Sequence, residues 1–195
     1  MQKNVLVPVA DGTEELEAVA IIDVLRRAGA TVTVASVTGA RQITASRGVV
    51  ILADTLIEAC VEKEYDLVVL PGGIPGAEHL RDSADLIRIL KHQREKERLY
   101  GAICASPAVV LEHHGLLAGR QATCHPGFVD QLTTTDRIDD RVVMDGNCLT
   151  SRGPGTAIEF ALALVERLYG KDKMDAVAAP MVVYPQRCKG GKVKT

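Results

Sequence analysis

"LYGAICASPAVVLEHHG" (99–115) reads as a strand, a sharp turn and a helix in quick succession. Leu99 to Ile103 is a short apolar run, Ser106 and Pro107 open a helix, and Gly115 closes it. Cys104 falls where strand becomes helix. It is either a small buried filler or a nucleophile held up to a pocket.

The same punctuation continues outward. "NVLVPVA" (4–10), "TVTVASV" (31–37), "GVVILAD" (48–54) and "YDLVVLPGG" (65–73) read as strands, several of them apolar on both faces as in a covered parallel sheet. Between the first two, Ala18, Ile21, Ile22 and Leu25 form a helical stripe that Gly29 stops, and Asp11 ahead of Glu14 resembles a capping box. Residues 83–97, 155–169 and 171–179 read as further helices, and "RVVMDGNCLTS" (141–151) as two short strands around an Asp-Gly turn. Strands alternating with helices predict one α/β domain over 1–185, with a mostly parallel sheet covered on both faces. The polar, basic "QRCKGGKVKT" (186–195) is expected to be a loose tail.

Composition narrows the function classes. A net charge of −2 with intermixed signs gives no footprint for nucleic acid or an anionic membrane. No run approaches a membrane span and no signal peptide is evident, so a cytoplasmic protein is expected. Cys60, Cys104, Cys124, Cys148 and Cys188 are scattered without zinc-ligand spacing, which favours neither a metal site nor a disulfide framework.

In a sheet of this kind ligands bind beyond the carboxyl ends of the strands. Three segments directly follow strands: Asp11 to Glu17, "PGGIPG" (71–76) and Cys104. A helix start favours thiolate and would lower the pKa of Cys104. The adjacent Gly72 and Gly73 are either a tight turn or a source of backbone N–H groups for an oxyanion. "SRGPGT" (151–156) is glycine-rich before a helix but lacks a phosphate-loop lysine. Glu14 and Glu15 read as dipole-complementing residues on a solvated face, whereas Glu17 lies beside the core-facing Ala18, where partial desolvation would raise its pKa for proton transfer. His125, in "TCHPGF", follows another candidate strand and is either structural or part of the same crevice.

Taken together, "ADGTEELEAV", "DVLRRAG", "ASRGVV", "YDLVVLPGG", "AICASPA" and "LTSRGPGTAIEFAL" resemble the ThiJ/PfpI superfamily, in its branch of Parkinson-disease-associated protein deglycase and bacterial ThiJ-type proteins. The likeness runs in order from about residue 3 to about residue 180. It implies a flavodoxin-like three-layer sandwich and a homodimer. By position it implies a reactive Cys104, a cysteine-contacting Glu17, a nearby His125, oxyanion groups at Gly72, Gly73 and the Ala105 N–H, a pocket Arg47, and an Arg27 contributed by the dimer partner. It implies no metal or organic cofactor.

Ala105 stands where the protease-like branch has histidine, which speaks against a peptidase. Ala45 stands where some relatives carry a second cysteine. Cys124 offers a different candidate, a thiol that could resolve an oxidised Cys104. The older thiamine-related label finds no nucleotide or thiazole motif here. The activity implied is conversion of α-oxoaldehydes such as methylglyoxal to 2-hydroxy acids, or removal of their early protein adducts. The rival is a redox sensor or redox-regulated chaperone using the same thiol.

Overall fold

The computed structural model describes residues 2–183. The expected tail and Cys188 lie outside the described residues. Seven strands form one sheet: β1 (Asn4–Val9), β2 (Thr31–Ser36), β5 (Thr55–Leu56), β6 (Leu67–Leu70), β7 (Leu99–Ile103), β8 (Val142–Asp145) and β9 (Cys148–Ser151). Their spatial order is β5-β2-β1-β6-β7-β9-β8, and all neighbours are parallel except β8 with β9. The parallel core β2-β1-β6-β7-β9 has the 2-1-3-4-5 order of a flavodoxin-like fold, with its switch point between β1 and β6.

The pleat sorts the core. Val5, Val7 and Val9 face α1 (Glu15–Arg27) and α4 (Ala157–Tyr169), packing with Ile21, Leu25 and Phe160. Leu6, Val68 and Leu70 face the opposite layer, where α2 (Gly76–Asp82) and α3 (Ala84–Glu95) contribute Leu80, Leu86 and Leu90. A short α5 (Lys171–Ala178) follows α4 after Gly170. Among the described residues no helix is long and apolar enough to cross a membrane.

Three local readings are corrected. Only Val50–Leu52 (β4) of "GVVILAD" is extended, and it pairs antiparallel with β3 (Gln42–Thr44) in a hairpin outside the main sheet. Val50 and Leu52 are 58% and 67% exposed, so this apolar run is not a covered strand. Asp11 does not cap α1. Its Oδ1 accepts from the Thr44 N–H at 2.7 Å, while Glu14 is the cap, accepting from the Glu17 N–H at 2.7 Å. Residues 121–125 form no strand; they lead into a 3-10 helix at Pro126–Gln131 that His125 caps.

Candidate active site

Cys104 follows the last residue of β7 with φ at +65°, a left-handed conformation that costs a side-chain-bearing residue of order 1 kcal/mol or more. Two hydrogen bonds hold it there. Its N–H donates to the Ser151 carbonyl at 3.0 Å, and its own carbonyl accepts from the His125 N–H at 2.8 Å. Just downstream, the Ser106 hydroxyl donates to the Pro71 carbonyl at 2.6 Å instead of capping a helix. The segment then runs through Pro107–Glu112 with π-type hydrogen bonding, a form that recurs at functional sites. The result is an elbow that lifts the sulfur out of the strand while leaving the residue only 9% exposed.

Glycines let the neighbouring loops reach this elbow. A Cβ at Gly72 would lie 2.6 Å from Cys104 Cβ and 3.0 Å from Glu17 Oε2. Gly73, at φ +92°, approaches the backbone of Gly12 to Glu14 so closely that a Cβ would meet the Gly12 carbonyl oxygen at 2.4 Å. The Glu14 N–H donates to the Gly72 carbonyl at 2.9 Å, fastening the loop after β6 to the start of α1.

Glu17 is fully buried. Its Oε2 accepts from the Gly72 N–H at 2.7 Å, and its Oε1 is buried without a hydrogen-bond partner. Burial pushes its pKa up to about 7; the Gly72 N–H opposes the rise, the charge of Glu14 adds to it, and a hydrogen bond with Cys104 opposes it. Burial, then the charge of Glu17 and its hydrogen bond, push the Cys104 thiol up to about 12, against the pull of the Gly73 and Ala105 N–H groups. This corrects the expectation of a lowered thiol pKa. Desolvation and the neighbouring carboxylate outweigh the backbone donors, although helical backbone begins at Ser106, two residues on.

Of the three expected oxyanion groups, the Gly73 and Ala105 N–H groups bear on the sulfur. The Gly72 N–H does not serve as a donor there, because Glu17 holds it. The His125 side chain is exposed, and its Nδ1 accepts from the Gly127 N–H at 3.1 Å. That assigns the neutral Nε2–H tautomer. Its ring lies against Gly153, where a Cβ would meet Cδ2 at 3.5 Å.

Arg47 is exposed and its backbone N–H donates to Glu15 Oε1 at 2.8 Å. Arg27 sits at the far end of α1, roughly 15 Å along the axis from Glu17 at 1.5 Å per residue, paired with Asp23 at 2.6 Å. Within one chain it is not brought to the site. Cys124 is fully buried, with its thiol donating to the His125 carbonyl at 3.3 Å.

Sequence reading missed Glu15. It is not solvated: it is 9% exposed and accepts from the Ser46 hydroxyl at 2.7 Å as well as from Arg47. Burial would raise its pKa, but its own backbone N–H, the Ser46 and Arg47 hydrogen bonds and the Val49 N–H together prevail and lower it. It also missed the backbone clamp from Ser151 and His125, which local pattern does not signal. Among the described residues no cluster of His, Cys, Asp and Glu is arranged to hold a metal ion.

Comparison with known proteins agrees with this architecture. The DJ-1/PfpI family model matches residues 3–167. Protein DJ-1 homolog B of Arabidopsis thaliana is 54% identical over 87% of this chain and 39% of its own length, so the chain spans about two fifths of that relative. The glutathione-independent glyoxalase DJR-1.2 of Caenorhabditis elegans is 37% identical, covering 91% of this chain and 94% of its own. Among solved structures, oxidized Toxoplasma gondii DJ-1 superposes with a TM-score of 0.90 at 50% identity, over 92% of this chain and 98% of that one.

Proposed function

The chain belongs to the DJ-1/PfpI family, and from that membership and the geometry around Cys104 we propose that it converts α-oxoaldehydes such as methylglyoxal, free or as early adducts, to 2-hydroxy acids. The observation that carries the reading is the buried, unpartnered Oε1 of Glu17, a carboxyl raised to about 7 and hydrogen-bonded to the thiol. A group of that kind can hold or release a proton near neutral pH.

In the proposed sequence, Glu17 takes the thiol proton and the thiolate adds to the aldehyde carbon. The alkoxide that forms is stabilised by the Gly73 and Ala105 N–H groups and receives the proton back, giving a hemithioacetal. Glu17 then removes the proton from the former aldehyde carbon to give an enediol, and delivers it to the adjacent carbon. One carbon is oxidised and its neighbour reduced, so no external oxidant, reductant or cofactor is called for. Water cleaves the resulting thioester, releasing the hydroxy acid and regenerating the thiol. With Nδ1 engaged by Gly127, His125 acts as an Nε2–H donor that orients substrate or water. Arg47 offers a cation at the rim for an anionic substituent.

The worm relative's name, a glutathione-independent glyoxalase, supports this reading. We also propose a homodimer, in which Arg27 of a second copy reaches the site. The test is product formation: purified protein with methylglyoxal in amine-free buffer should yield lactate over many turnovers, and Cys104→Ser should yield none.

A second reading, an oxidation sensor, is favoured by the same carboxyl. The Glu17 carboxyl meets the Cys104 thiol, and in its protonated form it would donate a hydrogen bond to a sulfinate oxygen. The Toxoplasma relative is described in an oxidised form.

A further inference from the structure

Arg47, the cation proposed to meet substrate, lies on a turn with no regular structure of its own, yet that turn is fixed at three points to Thr13 and Glu15, at the start of α1 and just before it. The Ser46 N–H donates to the Thr13 carbonyl at 2.8 Å. The other two bonds converge on one side chain: Glu15 accepts from the Ser46 hydroxyl with Oε2 and from the Arg47 N–H with Oε1. Glu15 is 9% exposed, and its hydrogen bonds hold its pKa below the ordinary carboxylate value. Arg47 itself is exposed and has no ion-pair partner among the described residues.

A buried carboxylate is retained only where hydrogen bonds compensate its desolvation. Here the compensation comes from Glu15's own N–H, from the Ser46 hydroxyl and Arg47 N–H of the turn that carries the unpaired cation, and from the Val49 N–H just beyond it. We propose that Glu15 is a positioning residue: it sets the Ser46–Arg47 turn so that the Arg47 guanidinium faces an anionic group on whatever is bound at Cys104, and thereby biases the site toward substrates with a carboxylate beside the reacting carbon. The inference rests on Cys104 being the reacting group.

Charge and position make opposite demands, which gives the test its sign. If Glu15 acted only through its charge, removing it would leave the site more positive and more attractive to anions. If it acts through Arg47, removing it frees the turn and weakens anion preference. The experiment compares Cys104 alkylation by iodoacetate and by iodoacetamide in the full chain, followed by mass spectrometry. The neutral reagent normalises each variant for thiol reactivity and folding.

Arg47→Ala should lower the iodoacetate-to-iodoacetamide rate ratio by about threefold, the scale of an exposed charge contact. Glu15→Ala should lower it by a similar factor, and the double variant should fall no further than Arg47→Ala alone. Glu15→Gln, whose amide can keep both hydrogen bonds with the Ser46 hydroxyl reversed, should stay near wild type. Should Glu15→Ala fail to fold, Ser46→Ala should give a smaller decrease in the same direction. A ratio that is unchanged or raised in Glu15→Ala (or, in its place, Ser46→Ala), or unchanged in Arg47→Ala, would overturn the proposal. Because alkylation needs no turnover, this result is separable from failure of the aldehyde reading, which lactate formation tests.

Discussion

The Gly72 N–H donates to Glu17 Oε2 at 2.7 Å, and this bond fixes the buried carboxyl with its other oxygen, Oε1, unpartnered. One backbone donor orients the group without satisfying it. The unsatisfied oxygen makes the carboxyl both costly to ionise and chemically useful.

The cost should be measurable as stability. Glu17 titrates at about 7 in the folded protein, above its ordinary 4.5, so the folded state holds a proton that the unfolded chain releases between those values. Its favourable contribution is complete below 4.5 and is lost as pH rises through 7. Glu17→Gln should therefore be more stable than wild type above neutrality, by up to about 3 kcal/mol, and the advantage should shrink as pH falls toward 4.5. Urea denaturation across that range checks the sign. An advantage that does not change with pH would point to packing instead of ionisation.

Catalysis should follow the same titration in the opposite sense. With both protons present the pair has no base, and loss of the first creates the competent monoanion. For methylglyoxal, kcat/KM should rise with pH to half its plateau near 7, the value for Glu17. A profile that stays flat from mildly acidic to mildly alkaline pH would separate turnover from this carboxyl.

Gly72 and Gly39 make a paired test of close approach. Gly72→Ala would press a methyl group onto Cys104 Cβ, Glu17 Oε2 and the Ile103 carbonyl. It should cost about 1–3 kcal/mol in overpacking and abolish turnover by displacing both reacting groups. Gly39, at φ +77°, has open space around its Cβ position, so Gly39→Ala should show only backbone strain of order 1 kcal/mol and retain full activity. Thermal melts and lactate assays on the two variants read both effects.

Much of this was legible in the sequence for physical reasons. β-Branched runs separated by amphipathic helices leave few alternatives to a covered parallel sheet, and strand ends locate the crevice, so Cys104, Glu17 and the glycine loop could be brought together on paper. The misreadings arose where a distant backbone decides the outcome. Asp11 looked like a cap because Glu14 follows at the right spacing, but Thr44 takes its carboxylate. Glu15 looked solvated because Ser46 and Arg47 lie about thirty residues away in sequence. Val50 and Leu52 looked like core because apolar runs do not say whether both faces are covered.

Those exposed apolar residues support the proposed association. Leu16 and Val19 on α1 are 53% and 52% exposed, and Val50 and Leu52 add a further apolar surface on the β3–β4 hairpin. A second copy covering α1 would bury Leu16 and Val19. The double change Leu16→Asp and Val19→Asp should shift sedimentation to the monomer and lower the rate, since Arg27 would then be withdrawn from the neighbouring site. A variant that sediments as wild type would exclude this face.

The most direct test of the Cys104–Glu17 pair is lactate formation from methylglyoxal by Glu17→Gln, with iodoacetamide alkylation of Cys104 followed in the same preparation. The account requires many turnovers in wild type and none in Glu17→Gln, while the variant's thiol still alkylates. Full turnover by Glu17→Gln, or wild-type product that stops at one equivalent per thiol, would contradict it.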